Sequence, residues 1–186
     1  TMDATCYESH LRYPTNVKLL WEAVDWLHGL TGDICKRTGE TLPRSKYLKW
    51  KKRYVSYSKM RRKTKKKRRA LTRSLLLLLD KLGGEVDRLE ARHAATMTKD
   101  QYRRRATAKQ IFAQQHGYFH RGEKPKDRIV SMDRPYIRPI VRGKEIKPVE
   151  FGAKVNKFQI DGISFIEHLS FNAFHEGNRF QDTIFK

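Results

Sequence analysis

The chain has 186 residues, of which 38% are hydrophobic, and its 41 Lys plus Arg stand against 20 Asp plus Glu for a formal net charge of +21. That length suits one domain, or a small sheet carrying a helical insertion, and no run approaches the roughly 18 apolar residues of a membrane helix, so a spanning protein is not expected. The charge excess calls for a polyanionic partner, with nucleic acid first among them.

In chain order, MDATCYES opens with a short strand expected to end near Thr5, with Glu8 and Ser9 starting a connection. Pro14, Thr15 and Asn16 supply a turn and a helix cap. Leu19, Leu20, Ala23, Val24 and Leu27 then recur at helical spacing over residues 17–30, and Gly29 and Gly32 are expected to close this helix. Residues 41–79 contain no carboxylate at all, while Lys46, Lys49, Lys51, Lys52, Arg53, Lys59, Arg61, Arg62, Lys63, Lys65, Lys66, Lys67, Arg68, Arg69 and Arg73 crowd into them. Such a block repels itself in isolation and releases counterions when it meets a phosphate backbone, so binding should fall steeply with salt. Interleaved Tyr47, Leu48, Trp50, Tyr54, Val55 and Tyr57 suit a helix with one aromatic stripe over residues 45–81, bent near 56–58. Trp50 and Tyr54 could stack on bases, and helix packing would explain them as well.

The five leucines 75–79 are too short for a membrane element and read as a buried helix segment. Gly83-Gly84 reads as a break between helices, after which residues 85–93 resume a helical pattern; Thr98 caps a further helix over 99–116, with Gly117 beyond its end. Residues 122–127 turn to Gly, Pro and charge, a linker, and β-branched and aromatic residues dominate thereafter. Residues 128–132 read as a short strand. Three prolines and Gly143 make 133–148 a loop with extended pieces. Residues 149–160 and 163–171, joined through Asp161-Gly162, form the clearest hairpin, because Asp-Gly fits the positive φ angles of a type I′ turn. Phe151, Phe158, Phe165 and Phe171 are expected to share one face of it as core.

Other chemistries find no footing. Cys6 and Cys35 lack the pairing or companion His spacing of a zinc site and read as reduced thiols, and neither a GxxxxGK[ST] loop nor an HExxH pair occurs.

Two blocks, MDATCYES with RYPTNVKLLWEA at its heels and RPIVRGKEIKPVEFGAKVNKFQIDGISFIEHLSFNAF at 138–174, resemble the catalytic domain of bacterial insertion-sequence transposases of the DDE type. The resemblance covers roughly residues 1–30 and 125–180. It implies an α+β fold: a partial ribonuclease H-like sheet with its first strand in 1–12, a strongly basic helical insertion in 13–124, and a β-hairpin with the start of the next helix in 125–186. It implies DNA as partner, at insertion-sequence ends and target, in a multimer acting in the bacterial cytoplasm at the nucleoid. Asp3 would be the first catalytic carboxylate and a metal ligand, since the family cuts and joins strands with three carboxylates around two divalent ions. Mg²⁺, with Mn²⁺ as substitute, is the cofactor implied for the complete enzyme, with none expected on this chain alone. Arg138, Arg142, Lys144 and Lys154 would hold DNA backbone near the active site, where phosphate contacts position without reading sequence. Lys51, Lys52, Arg53, Arg61, Arg62, Lys66, Lys67 and Arg68 would add a second, less selective surface.

The family's Tyr-x2-Arg-x3-Glu-x6-Lys signature is missing: Tyr102 is followed by Arg105 and Tyr118 by Arg121, but the Glu position holds Lys109 and Pro125. Asp161, at a hairpin tip, and Glu176 do not replace the missing carboxylates. The chain therefore reads as a fragment truncated at both ends that does not cut DNA by itself. The rival reading is a non-enzymatic basic nucleic-acid-binding protein of ribosomal or nucleoid type.

Overall fold

A computed structural model describes the chain except for residues 1, 10, 12, 13, 95, 96, 142–148, 176 and 178–186, and for Met2 and Asp3 it describes the backbone alone. The class is α+β, and the chain divides into a helical unit, residues 14–126, and a sheet unit made of residues 1–13 and 127–186.

Four helices make the first unit: α1 (Asn16–Thr38), α2 (Tyr47–Lys59), α3 (Lys65–Arg92) and α4 (Lys99–Arg121). The hydroxyl of Thr15 caps α1 by accepting from the Lys18 amide at 3.2 Å. Along α1, Leu20, Ala23, Val24, Leu27, Leu30, Thr31 and Ile34 form one buried stripe, which packs on Leu75, Leu79, Leu82, Val86 and Leu89 of α3 and on Ala108 and Ile111 of α4. Each fully buried aliphatic side chain there contributes about 1.5–3 kcal/mol.

Gly29 and Gly32 do not close α1, which runs on to Thr38, and Gly83-Gly84 does not break α3; the stop is Gly39, in the left-handed region at φ 71°. Apolar periodicity continues across both glycine sites, through Leu30 and Ile34 in α1 and through Leu82 and Val86 in α3. Burial of that stripe outweighs the ~1 kcal/mol a helical glycine costs. α4 also passes through Gly117 and ends at Gly122, φ 72°. The single helix expected over 45–81 is instead two, separated at 60–64 rather than bent at 56–58: Met60 turns extended and the Thr64 hydroxyl starts α3 by accepting from the Lys67 amide at 3.3 Å.

Beside this core, the guanidinium of Arg105 on α4 is buried and donates to the carboxylates of Asp87 and Glu90 on α3, with Lys109 at 3.2 Å from Asp87. Burial opposes ionisation of Asp87, but the hydrogen bonds from Arg105 and Lys109 prevail and hold its carboxyl below the usual range.

In the sheet unit, β1 (Met2–Glu8), β2 (Pro139–Val141), β3 (Val149–Ile160) and β4 (Ile163–Ser170) are all paired through β3 and antiparallel to it. β1 runs past Thr5 to Glu8 because pairing continues to Glu8↔Gly152. There the backbones come so close that a Cβ on Gly152 would lie 1.9 Å from the Tyr7 carbonyl oxygen. The tip of the hairpin has Asp161 at φ 48° and Gly162 at φ 81°, both positive as a type I′ turn requires. Lys157 pairs with Ile166 and Asn156 with His168, so Glu167 is an extra residue on β4, and its carboxylate accepts from the amide of fully buried Asn156 at 3.1 Å.

Two expectations change here. Residues 128–132 form no strand: Ile129, Val130, Ser131 and Met132 are buried in succession, ahead of a turn in which the Ile137 amide donates to the Arg134 carbonyl. The four phenylalanines do not share a face. Phe151 and Phe158 are seven residues apart on a strand whose pairing with β1 is regular, so alternation sends them to opposite sides. Phe158 stacks on Phe165 at 5.2 Å and Phe171 meets Tyr136 edge-on, but none of the four is in the buried core.

Candidate nucleic-acid interface

α2 reaches its neighbours through aromatic rings. Tyr47 and Tyr54, seven residues apart, stack on either side of Trp21 of α1 with ring centroids 5.5 and 4.9 Å away. Tyr47 also lies on His28 and donates its hydroxyl to Asp25; burial first, and then that bond, push its phenol up to about 12. Trp50 and Tyr57, again seven apart, point instead toward α3. At 3.6 residues per turn each pair falls on one line and the two lines are about 60° apart, so the expected single stripe is two, one for each neighbouring helix.

The cations occupy what remains of α2 and the start of α3. Lys51, Lys52, Arg53, Arg61, Arg62, Lys66, Lys67 and Arg68 are all exposed. None of the Lys or Arg side chains from Arg44 to Arg73 is in an ion pair. Several lie over rings instead: Arg53 and Lys49 at 4.9 and 5.6 Å from the Trp50 centroid, Lys51 at 5.7 Å from Tyr47, Lys63 at 5.8 Å from Tyr57. Such contacts leave the charge uncompensated. The first turn of α3 carries Lys65, Lys66 and Lys67 and no acid, although the positive end of the helix dipole favours anions there by about 0.3–1 kcal/mol per charge. An arriving phosphate would relieve both the crowding and the dipole mismatch.

Between α2 and α3 the surface sinks into two hollows. One, of about 370 Å³, is lined by Trp50, Arg53, Tyr57, Met60, Lys67 and Leu71 among others. The second, of about 560 Å³, lies between Arg44, Lys46, Trp50, Leu77, Leu78 and Lys81. Trp50 and Ser74 belong to both, and no carboxylate lines either. Reading the sequence did not single out Arg44 and Lys81 as members of this surface; the seven-residue spacing of Trp50 and Tyr57 was the available signal.

The residues expected from the other block are placed differently. Asp3 lies in β1 with Lys157 opposite it; its side chain, like Arg142 and Lys144, lies outside the described residues. Arg138 is half-buried and donates to the carbonyls of Pro135 and Ile137, and Lys154 donates to the carbonyl of Phe174 at 2.6 Å while covering its ring. Both cations are thus engaged with their own unit. Among the described residues no group of three His, Cys, Asp or Glu side chains is placed to hold a metal ion. Neither Cys6 nor Cys35 is in a disulfide; Cys35 is buried and its thiol is pushed up by that burial. Among the described residues no helix is long and apolar enough to cross a membrane.

Comparison with family models, with curated proteins and with solved structures finds no match for this chain.

Proposed function

We propose that the chain belongs to a DNA transposase of the DDE type and that its helical unit is the surface on which the DNA backbone rests. The observation that carries the binding part is the set of Lys and Arg side chains from Arg44 to Arg73, all exposed, in a stretch with no carboxylate, and without an ion pair among the described residues. A surface of this kind takes phosphates through counterion release and does not discriminate between sequences. The transposase part rests on the resemblance of the two end blocks. The pairing of β1 with β3, and the continuation of the sheet by the β3–β4 hairpin, support it, as does the placing of all four helices between β1 and β2. In this reading the sheet is the beginning of a ribonuclease H-like core, and the protein works as a multimer at the bacterial nucleoid.

Asp3 would serve as a metal ligand once further carboxylates stand beside it, where Mg²⁺ supplies Lewis-acid stabilisation of phosphoryl transfer. The test is Mg²⁺- or Mn²⁺-dependent nicking of duplex DNA beside a salt titration of binding, with Asp3→Ala as control. Binding without nicking is the expected result. Nicking abolished by Asp3→Ala would mean that a complete metal site exists within these residues, and absence of binding at low salt would remove the whole proposal.

The composition also fits a ribosomal or nucleoid-type binder. A strong preference for structured RNA over DNA in direct competition would favour that second reading.

A further inference from the structure

Tyr47 and Tyr54 of α2 each stack on Trp21 of α1, and Tyr57 is buried. Trp50 is different: it stands half-exposed at the crossing of two hollows, with apolar floor on both sides, Tyr57, Met60 and Leu71 in one and Leu77 and Leu78 in the other. Leu77 is 65% exposed on α3, although the leucines flanking it in sequence are buried. Cations line both hollows, Arg53 and Lys67 in one and Arg44, Lys46 and Lys81 in the other, with Lys81 donating one of its three hydrogens to the Arg44 carbonyl at 2.7 Å. A rim of positive charge around an aromatic and apolar floor matches a ligand with negative charge outside and flat apolar faces inside. A duplex satisfies only the rim, since its bases are stacked on each other; an unpaired segment satisfies both.

We infer that the furrow between α2 and α3 binds single-stranded nucleic acid, with one unpaired base taking the place over the Trp50 ring that the Arg53 and Lys49 cations hold in its absence, and the flanking phosphates held by the displaced Arg53 and Lys67 on one side and by Arg44, Lys46 and Lys81 on the other. The inference rests on the nucleic-acid reading above and deepens it: backbone binding alone predicts no preference for unpaired strands, whereas the furrow does. An acidic amphipathic peptide could offer similar chemistry. The carboxylate-free surroundings, continuous with the basic face of α2 and the start of α3, favour a polyanion of regularly spaced phosphates.

The experiment measures anisotropy of labelled oligothymidylate, an abasic strand of equal length and a blunt duplex, each titrated with the full chain at low salt. The native protein should bind oligothymidylate more tightly than the abasic strand. Trp50→Ala, checked by thermal melting, should weaken oligothymidylate binding by about 5- to 100-fold and leave the duplex unchanged, while Trp50→Phe recovers most of the loss. Equal affinity for abasic and base-bearing strands would overturn the inference even if Trp50→Ala failed to fold. So would equal effects of Trp50→Ala on single strand and duplex, and in both cases duplex binding would still stand. Trp50-dependent binding of an acidic amphipathic peptide, with no preference for base-bearing strands, would assign the furrow to a protein partner and overturn the inference. Failure to bind any of the three nucleic acids would sink the underlying reading as well.

Discussion

Gly84 lies in the interior of α3 with open space where a Cβ would go, so Gly84→Ala gains helix propensity without a clash. A rise in stability of about 0.5–1 kcal/mol is expected in thermal melts. Gly152 is the opposite case. With the Tyr7 carbonyl 1.9 Å from a would-be Cβ, Gly152→Ala must push β1 away from β3. Loss of hydrogen-exchange protection along β1 is the expected result, and unchanged protection would show that the strands part easily. Arg105 behaves as a buried charge that two acids satisfy together. Arg105→Met strands Asp87 and Glu90, and a destabilisation of about 1–3 kcal/mol should follow, discounted from the figure for fully buried pairs because both acids keep contact with water.

The N-terminal turn of α3 joins stability to function in opposite senses. Lys65→Glu places an acid where the helix dipole favours one, so the protein should melt higher by about 0.3–1 kcal/mol while duplex binding weakens. A drop in both would mean that the turn is organised by its lysines. Element existence was legible wherever the local chemistry was decisive. Thr15 and Thr98 cap the helices assigned to them, and Asp161-Gly162 makes the expected hairpin turn. What the sequence hid was long-range. Glycine reads as a breaker unless the partner helix is known to bury the residues around it, which is how α1 and α3 outran their expected ends. Residues 128–132 have strand-like composition but lie outside the strands of the sheet. Of the candidate site, the cationic run was plain from composition, whereas the division of the aromatics between two neighbours needed the positions of α1 and α3. The engagement of Arg138 and Lys154 by nearby carbonyls left no mark in the sequence at all.

For the whole molecule, acid should unfold the helical unit in two stages. Burial outweighs the attraction of Asp25 and holds His28 below its ordinary value. A group whose folded value is depressed favours folding above its unfolded value and loses that contribution as pH falls, so stability should start to decline below about pH 6.5. Glu90 follows the same sign lower down: burial opposes its ionisation, hydrogen bonds from Tyr102 and Arg105 prevail, and it joins Asp87 below the usual carboxylate range. Their contribution is present above that range and lost below it, so melting temperatures should fall again under about pH 4. Lys66 to Arg68 should matter little to folding, since none is in an ion pair, and greatly to binding. The most direct test is therefore the salt dependence of duplex DNA binding, native chain against the triple substitution Lys66→Gln, Lys67→Gln and Arg68→Gln. A steep loss of affinity with salt is expected, shallower in the triple variant by about 0.9 in log–log slope for each phosphate contact removed, with melting unchanged or slightly raised because Lys66 and Lys67 oppose the dipole of α3. Salt-insensitive binding, or a slope that the triple substitution leaves untouched, would contradict the assignment of this face to the nucleic-acid backbone.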